Sequence, residues 1–237
     1  MTLFGPCVTV NPESREVLSP RPPMAEILQV HPEDPSRWEY ALEYSTRLIL
    51  AGKVVGFPTD TFYGLAADPF NLAAVSEVFR IKRRTPERPL PLLVASLDQA
   101  ADLALDPPRL FFTLAEKFWP GPLTLIVPAS RLVPFKVTAN SGKVGLRWPR
   151  APLAVAMIAA ADRPLTGTSA NISDQPACST ASQVEAQLGR TLPLIVDGGP
   201  TEGKLPSTLV DLTASGGRIL RHGGIPESEL KEYLDEP

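Results

Sequence analysis

Short apolar segments alternate with stretches of helical periodicity along most of this 237-residue chain, and this alternation limits the folds that it can adopt. The segments 53–57 (KVVGF), 123–127 (LTLIV) and 194–196 (LIV) are typical of buried strands, because β-branched and large aliphatic residues follow one another in them. Amphipathic helical patterns lie between such segments. We therefore predict an α/β fold, and since strands cluster late in the chain, we predict a mixed sheet.

Several elements can be bounded from the sequence alone. A first helix is predicted to begin at Asp34-Pro35-Ser36 and to end at Gly52, and Asn71 is predicted to cap a second helix. The inner face of the second helix would carry Leu72, Val75, Val78 and Phe79. The apolar segment 90–95 predicts a strand whose Pro91 indicates an edge or a bulge. Further helices are predicted near 109–118, 153–161 and 227–234 and after Ser179-Thr180, and further strands near 144–147, 208–212 and 218–220 and up to Thr166.

The first part of the chain differs in composition from the rest. Five of the 27 prolines fall within the first 23 residues, where hydrophobic periodicity is lacking. We predict a flexible proline-rich arm at residues 1–25, followed by one folded domain at residues 26–237.

Composition excludes several classes of protein. The net charge of −3 argues against nucleic-acid binding across the whole surface, which usually requires a large positive excess. Two cysteines are too few for a disulfide framework. The sequence has neither an apolar run long enough to cross a bilayer nor a signal-like N-terminus. We expect a cytoplasmic protein without a membrane partner.

The common catalytic motifs are missing, whereas one basic cluster stands out. The sequence contains no P-loop and no GxGxxG fingerprint, and its two histidines, His31 and His222, give little basis for a Ser-His-Asp triad. Five cations fall within residues 80–88, around Thr85-Pro86. A helix C-terminus with a solvated loop would explain some of them, but guanidinium groups on a constrained turn also suit a triphosphate.

Hydroxyl-rich segments form a second signal. The segments 58–65 (PTDTFYGL) and 168–173 (TSANIS) combine hydroxyl, carboxylate and amide groups close to predicted strands. Such segments are either plain turns or loops that hold anions and amino acids. Taken one at a time, they leave both interpretations open.

Seven segments together resemble one family. In chain order they are PTDTFYGL, KRRTPERPL, WPGPLTLIV, VGLRWP, TSANIS, STLVD and LRHGGI, which lie between residues 58 and 225. They resemble the YrdC/TsaC family over roughly residues 28–225. The resemblance implies a single YrdC-like domain in which a twisted mixed β-sheet with flanking helices surrounds a basic cavity.

The resemblance also implies an activity. Members of that family are nucleotidyltransferases that make threonylcarbamoyl-AMP and pyrophosphate from L-threonine, bicarbonate and ATP, with Mg²⁺ accompanying the ATP. The product supplies tRNA-modifying threonylcarbamoyl-transferase machinery. Lys82 and Arg84 would be catalytic, and threonine would be bound by Thr61, Arg147 and Ser207. ATP would be bound by Lys82, Arg84, Arg88, Lys143, Ser169, Asn171, Ser179 and Arg221, and no residue is indicated as a protein ligand for the metal.

Two alternatives remain open. A YrdC-like protein that binds double-stranded RNA, even weakly, without synthase activity would use the same basic residues, and a related enzyme of this fold would adenylate or carbamoylate another substrate. The chain also departs from the family pattern. Asp174 follows Ser173 where relatives often have glycine, Arg88 stands where relatives frequently have lysine, and Leu92-Leu93 stands where longer relatives tend to have histidine.

Overall fold

The computed structural model describes residues 24–85, 87–214 and 216–234. The predicted arm therefore lies outside the described residues as far as residue 23. Ala25 is buried, and its backbone N–H donates to the carbonyl of Gly189 at 2.6 Å. Among the described helices, none is long and apolar enough to span a membrane.

Seven α-helices occur in the described part of the chain: α1 Glu39–Leu50, α2 Leu72–Lys82, α3 Leu97–Leu103, α4 Arg109–Phe118, α5 Pro152–Ala161, α6 Ala181–Leu188 and α7 Glu227–Leu234. The strands are β1 Glu26–Gln29, β2 Val55–Phe57, β3 Gly64–Ala66, β4 Leu92–Leu93, β5 Leu123–Pro128, β6 Lys143–Arg147, β7 Leu165–Thr166, β8 Thr168–Ser169, β9 Leu194–Asp197, β10 Thr208–Asp211 and β11 Arg218–Arg221. The α/β prediction is confirmed.

The strands form two mixed sheets, whereas the sequence predicted one. The five-stranded sheet has the order β1-β9-β2-β3-β8, and the six-stranded sheet has the order β11-β10-β5-β6-β4-β7. In the first, β9 pairs in parallel with β1 and β2, while β3 is antiparallel to both of its neighbours. In the second, β5 pairs in parallel with β10 and antiparallel with β6.

The chain passes from the six-stranded to the five-stranded sheet at Gly167, between β7 and β8. A Cβ atom at this position would lie 2.7 Å from Cγ of Leu93, so the close approach of the two segments requires glycine. Beside it, the buried Oγ1 of Thr166 donates to the carbonyl of Leu65 at 2.7 Å and accepts from the N–H of Ala67 at 3.0 Å. Short contacts at Thr166 and Gly167 thus join the two sheets.

The beginning of the first predicted helix is a short 3-10 helix at Pro35–Arg37, and α1 begins only at Glu39. Its predicted stop is confirmed, since Gly52 has a φ of +79°, which favours glycine. For α2, the side chain of Asn71 accepts hydrogen bonds from the N–H groups of Ala73 and Ala74, as predicted for a cap.

The predicted inner face of α2 is correct except at Leu72, whose side chain is exposed. Leu72 is the first residue of the helix, so its side chain lies outside the part of the helix that packs against the core. The residues of this helix buried in the core are Ala74, Val75, Val78, Phe79, Ile81 and Lys82.

The interpretation of Pro91 as a mark of an edge strand was wrong. β4 consists of Leu92–Leu93 only and lies inside the six-stranded sheet, between β6 and β7. Pro91 precedes the strand, and its carbonyl accepts a hydrogen bond from the N–H of Gly167 at 2.8 Å. The missing N–H of proline therefore removes no bond from the β4 ladder.

Tyr63 ties the start of β3 to the end of β9. Its side chain is fully buried, and its Oη lies 2.7 Å from the carbonyl oxygen of Gly199 and 3.0 Å from Oδ1 of Asp197. Burial and the neighbouring Asp197 carboxylate raise the pKa of Tyr63, so the phenol keeps the proton that it donates.

We expect Tyr63→Phe to lower the free energy of unfolding by about 1–2 kcal/mol, because the carbonyl of Gly199 loses its buried donor. Urea unfolding measures the change. Tyr40→Phe is the matched control, since Tyr40 is 61% exposed, and it should change stability by less than about 0.5 kcal/mol. Equal effects of the two substitutions would show that the buried hydrogen bond contributes nothing.

Candidate active site

A cavity of about 820 Å³ lies between the two sheets. In β5, β6 and β10 of the six-stranded sheet, alternate residues line it, as expected when successive side chains of a strand face opposite sides. The five-stranded sheet contributes Gly64, Thr168 and Ser169. From the six-stranded sheet, the lining includes Leu93, Thr124, Ile126, Lys143, Gly145, Arg147, Leu209, Asp211 and Arg221. The volume lies within the range of small-molecule sites.

Of the eleven residues predicted for the site, eight line this cavity: Thr61, Arg84, Arg88, Lys143, Arg147, Ser169, Ser207 and Arg221. The remaining three, Lys82, Asn171 and Ser179, are not part of its lining. Segments far apart in sequence therefore meet at one place.

Arg147 lies at the buried end of β6 and is 6% exposed. Its Nε donates to the carbonyl of Gly121 at 3.1 Å, its Nη1 to Oγ1 of Thr61 at 3.0 Å and its Nη2 to Oδ1 of Asp60 at 2.5 Å. Burial lowers its pKa, but an arginine keeps its charge at neutral pH, and Asp60 favours the charged form. A guanidinium has five N–H donors, so two of them make no hydrogen bond to the described residues.

The hydroxyls of the segment after β2 are linked to one another. Oγ1 of Thr59 donates to the carbonyl of Phe62 at 2.7 Å, and it accepts from the backbone N–H of Thr61 at 3.1 Å. The two threonine hydroxyls are 3.1 Å apart. The segment is thus a fixed turn, and both threonines line the cavity, so the loop is placed where it could also hold a ligand.

A second hydroxyl pair lies on the six-stranded sheet. Oγ of Ser207 is 2.7 Å from Oγ1 of Thr124, and both residues are buried. Arg221 donates to Ser207 through its Nη2, at 3.1 Å to Oγ and 3.0 Å to the carbonyl oxygen. Thr124 was not among the predicted site residues, and its only signal in the sequence was its place in the segment 119–127.

Arg84 is held on the loop after α2. Its Nη2 donates to the carbonyl of Pro89 at 2.8 Å. Its Nε is buried and has no hydrogen-bond partner in the part of the chain that the structure describes. Burial, Arg88 and Arg221 all lower the pKa of Arg84. An unmatched buried donor among neighbouring cations favours an anionic ligand.

Asp174 explains how one departure from the family pattern is accommodated. Its φ is +65°, a conformation that glycine adopts freely and that aspartate tolerates better than most residues. Its carboxylate lies 3.9 Å from Nη1 of Arg88, and both side chains are exposed. Aspartate is thus accommodated at a positive φ, and its carboxylate is an acidic neighbour of Arg88.

Lys143 is also paired. Its Nζ lies 3.2 Å from Oδ2 of Asp211, which is on β10 and lines the same cavity. Asp211 was not predicted as a site residue.

Lys82 lies behind the cavity wall, only 2% exposed. Its Nζ donates to the carbonyls of Ser169 (2.5 Å) and Asn171 (2.8 Å) and is 3.3 Å from Oδ1 of Asn171. Burial, followed by the nearby Arg84, lowers the pKa of Lys82 to about 8. Lys82 and Asn171 therefore hold the 168–173 loop in place from behind.

Ser179 lies apart from this loop, at the start of α6. Its Oγ and backbone N–H both donate to Oε1 of Gln183, and its carbonyl accepts from the N–H of Thr201.

The cavity is more basic than acidic. Its lining holds five cations, Arg84, Arg88, Lys143, Arg147 and Arg221, against the carboxylates of Glu87 and Asp211. Among residues 24–85, 87–214 and 216–234, no group of three or more His, Cys, Asp or Glu side chains is arranged to hold a metal ion.

Comparison with known proteins gives the family. A family model described as "Sua5_yciO_yrdC: Telomere recombination" matches residues 47–223. The chain is 37% identical to the threonylcarbamoyl-AMP synthase of Pyrococcus abyssi, with 84% of this chain aligned, and 38% identical to that of Bacillus subtilis, with 79% aligned. The chain spans 58% and 54% of the lengths of these two relatives.

A solved structure agrees with this result. The crystal structure of P. abyssi Sua5 complexed with L-threonine superimposes with a TM-score of 0.85 at 35% identity, covering 90% of this chain and 62% of that one. Since the family model covers most of the chain and the relatives share more than a third of their aligned residues with it, the chain belongs to the Sua5/YciO/YrdC family.

Proposed function

We propose that this chain is an L-threonylcarbamoyladenylate synthase, which makes threonylcarbamoyl-AMP and pyrophosphate from L-threonine, bicarbonate and ATP. The proposal rests on one observation: the same cavity is lined by a cluster of guanidinium groups (Arg84, Arg88 and Arg221) and by a guanidinium group with nearby hydroxyls (Arg147 with Thr61 and Ser207). The first suits a polyphosphate and the second suits an amino acid. The names of the relatives from P. abyssi and B. subtilis, and the threonine bound to P. abyssi Sua5, support the same activity.

The phosphates of ATP would contact Arg84, Arg88 and Arg221. The buried N–H of Arg84 would gain the acceptor that it lacks, which makes it the strongest of these contacts. Lys143 would reach the nucleotide only by loosening its pair with Asp211. Ser169 would contact the nucleotide directly, and Lys82 and Asn171 would act by holding its loop.

The amino acid would bind at the other end of the cavity, next to Arg221, which links the two ends through its hydrogen bonds to Ser207. Its carboxylate would accept from the two remaining N–H groups of Arg147, and Thr61 and Ser207 would offer hydroxyls to its polar groups. Because a buried charge-assisted bond is stronger than one in water, a single guanidinium suffices to orient the substrate.

The reaction joins the two ends. The amine of threonine and bicarbonate give a carbamate with loss of water, and a carbamate oxygen attacks the α-phosphorus of ATP. The bond between that phosphorus and the bridging oxygen of the β-phosphate breaks, and pyrophosphate leaves. Negative charge builds on phosphoryl oxygens, so the rate depends on position and on electrostatic stabilisation by Arg84 and its neighbours.

Mg²⁺ would arrive with ATP as part of the substrate. The cavity carboxylates are Glu87 and Asp211, and the second is already engaged with Lys143 and Thr213. Phosphate oxygens and water would therefore supply most ligands of the ion, as is common for Mg²⁺.

We further propose that the product passes, in the cytoplasm, to tRNA-modifying threonylcarbamoyl-transferase machinery. The unstable mixed anhydride of the product supports direct use by a following transferase. Binding of double-stranded RNA would need the same cavity cations, and three of them already have acidic neighbours, so we expect it to be weak at most.

The function is tested by measuring pyrophosphate release from ATP and bicarbonate with L-threonine, with L-serine and without an amino acid. We expect release that depends on L-threonine. If the protein binds ATP but no amino acid stimulates release, the function moves to another carbamoylating reaction or to RNA binding.

Arg84→Ala should lower kcat/KM for pyrophosphate release by about 100-fold or more, because a cation aimed at the developing phosphoryl charge is lost. Arg83→Ala is the matched control. Arg83 is the exposed neighbour that ends α2 and lies outside the cavity lining, so its removal should change kcat/KM by less than about twofold. Similar turnover in both variants would contradict the phosphate role of Arg84.

We expect ATP affinity to weaken as the pH rises through about 8, the pKa of Lys82 in the folded protein. Below that pH the ammonium is charged and has three N–H groups for its acceptor oxygens; above it, the charge and one donor are lost. The Kd for MgATP should rise by about three- to tenfold between about pH 7 and about pH 9.5.

Equilibrium binding of MgATP at several pH values measures this effect. Lys82→Met should bind ATP weakly and with little pH dependence in the same window. A wild-type Kd that is constant across the window would show that the protonation of Lys82 has no part in ATP binding.

A further inference from the structure

A buried carboxylate lies behind Arg147, and the proposed reaction does not use it directly. Asp60 belongs to the segment between β2 and β3, and its side chain is 8% exposed. Its neighbours Thr59 and Thr61 line the cavity, whereas Asp60 is not part of the lining. Its Oδ1 accepts from Nη2 of Arg147 at 2.5 Å.

This ion pair is poorly explained by stability. Removing two charges from water costs more than their attraction returns unless every remaining polar atom is also satisfied. Oδ2 of Asp60 is buried and has no hydrogen-bond partner among the described residues. Burying a carboxylate with one unpaired oxygen destabilises the folded state, so a role in the site explains the presence of Asp60 better than a contribution to stability does.

The geometry around Arg147 indicates what that role is. Three acceptors, the carbonyl of Gly121, the hydroxyl of Thr61 and the carboxylate of Asp60, each take one nitrogen of the guanidinium. Together they fix both the plane and the rotation of the group. Asp60 is the charged member of the three, and a charge-assisted bond is roughly twice as strong as a neutral one.

We propose that Asp60 is a positioning residue for the amino-acid substrate. It holds Arg147 so that the two N–H groups without a protein acceptor are presented to the substrate carboxylate. The inference rests on the proposed function, because it requires that Arg147 binds the amino acid. It adds a residue that touches neither substrate but sets how well one of them is bound.

The opposite effect is also physically conceivable, which makes the proposal testable. Asp60 offsets the charge of Arg147, so its neutralisation would leave a stronger field for an incoming carboxylate. If the orientation of the Arg147 guanidinium matters more than the electric field of its charge, neutralising Asp60 weakens threonine binding. If the electric field matters more, neutralising Asp60 strengthens threonine binding.

The test compares Asp60→Asn, which keeps the shape of the side chain and removes its charge, with Asp60→Glu, which keeps the charge and moves it. Pyrophosphate release gives KM for threonine, KM for ATP and kcat for each variant. For Asp60→Asn we expect KM for threonine to rise about tenfold or more, while KM for ATP changes less than about threefold. Asp60→Glu should recover part of the lost affinity for threonine.

Two further variants complete the test. Asp162→Asn makes the same chemical change at an exposed residue that ends α5 and lies outside the cavity lining, and it should leave both KM values unchanged. Arg147→Lys keeps the charge but removes the planar donors, and it should raise KM for threonine at least as much as Asp60→Asn does.

The outcomes separate the inference from the function on which it rests. If Arg147→Lys raises KM for threonine and Asp60→Asn leaves it unchanged or lowers it, the positioning role is overturned and the function stands. If Arg147→Lys also has no effect, the assignment of the amino acid to Arg147 fails, and the role of Asp60 fails with it. If Asp60→Asn does not fold, Asp60→Glu decides, since an unchanged KM with a displaced carboxylate also overturns the role.

Discussion

The burial of one guanidinium, that of Arg147, is the constraint on which most of the cavity depends. A cation that is almost without solvent must find acceptors, and the acceptors around Arg147 come from the segment before β5 and from the segment after β2. These segments belong to different sheets, so satisfying the charge fixes how the two sheets meet at this point. The hydroxyl turn at Thr59–Thr61 is ordered by the same contacts. The fold and the site therefore depend on each other, because the group that would bind substrate is also one of the groups that join the sheets.

The two ends of the cavity differ in how far their positive charges are neutralised by neighbouring groups. At one end, burial and the nearby guanidinium groups of Arg88 and Arg221 lower the pKa of Arg84, and the arrangement stays costly until an anion arrives. At the other end, the charge of Arg147 is already matched by Asp60, and the remaining recognition is through hydroxyls. A polyanion gains more from the first end and a single carboxylate more from the second. This difference in charge supports the proposed placement of the two substrates within the cavity.

Local sequence patterns were sufficient to predict most helices and strands, but they did not show which distant residues come into contact. The cap of α2 at Asn71 and the bounds of α4 follow from residues within a few positions of one another. The burial of Lys82 could have been predicted, because it is seven residues after Val75 and thus on the buried face of α2. Asp60 and Arg147 are 87 residues apart, and no local pattern pairs them. The short strands β1, β3 and β8 and the helix α3 were not predicted either, since two to seven residues carry too little periodicity.

Several contacts around the cavity join residues that are far apart in sequence, from Thr124 with Ser207, 83 positions apart, to Tyr63 with Asp197, 134 positions apart. During synthesis the hydroxyl turn at Thr59–Thr61 leaves the ribosome long before Arg147, and the hydroxyl pair with Arg221 comes later still. Contacts of such long range form late in folding, because a large loop must close before any of them is gained. An incomplete chain therefore lacks part of the cavity in which both proposed ligands would bind. Ligands can stabilise only the finished fold, by mass action on the native state, and they cannot rescue an intermediate. For this architecture, the ability to bind a nucleotide would itself report that the last strand has reached its place.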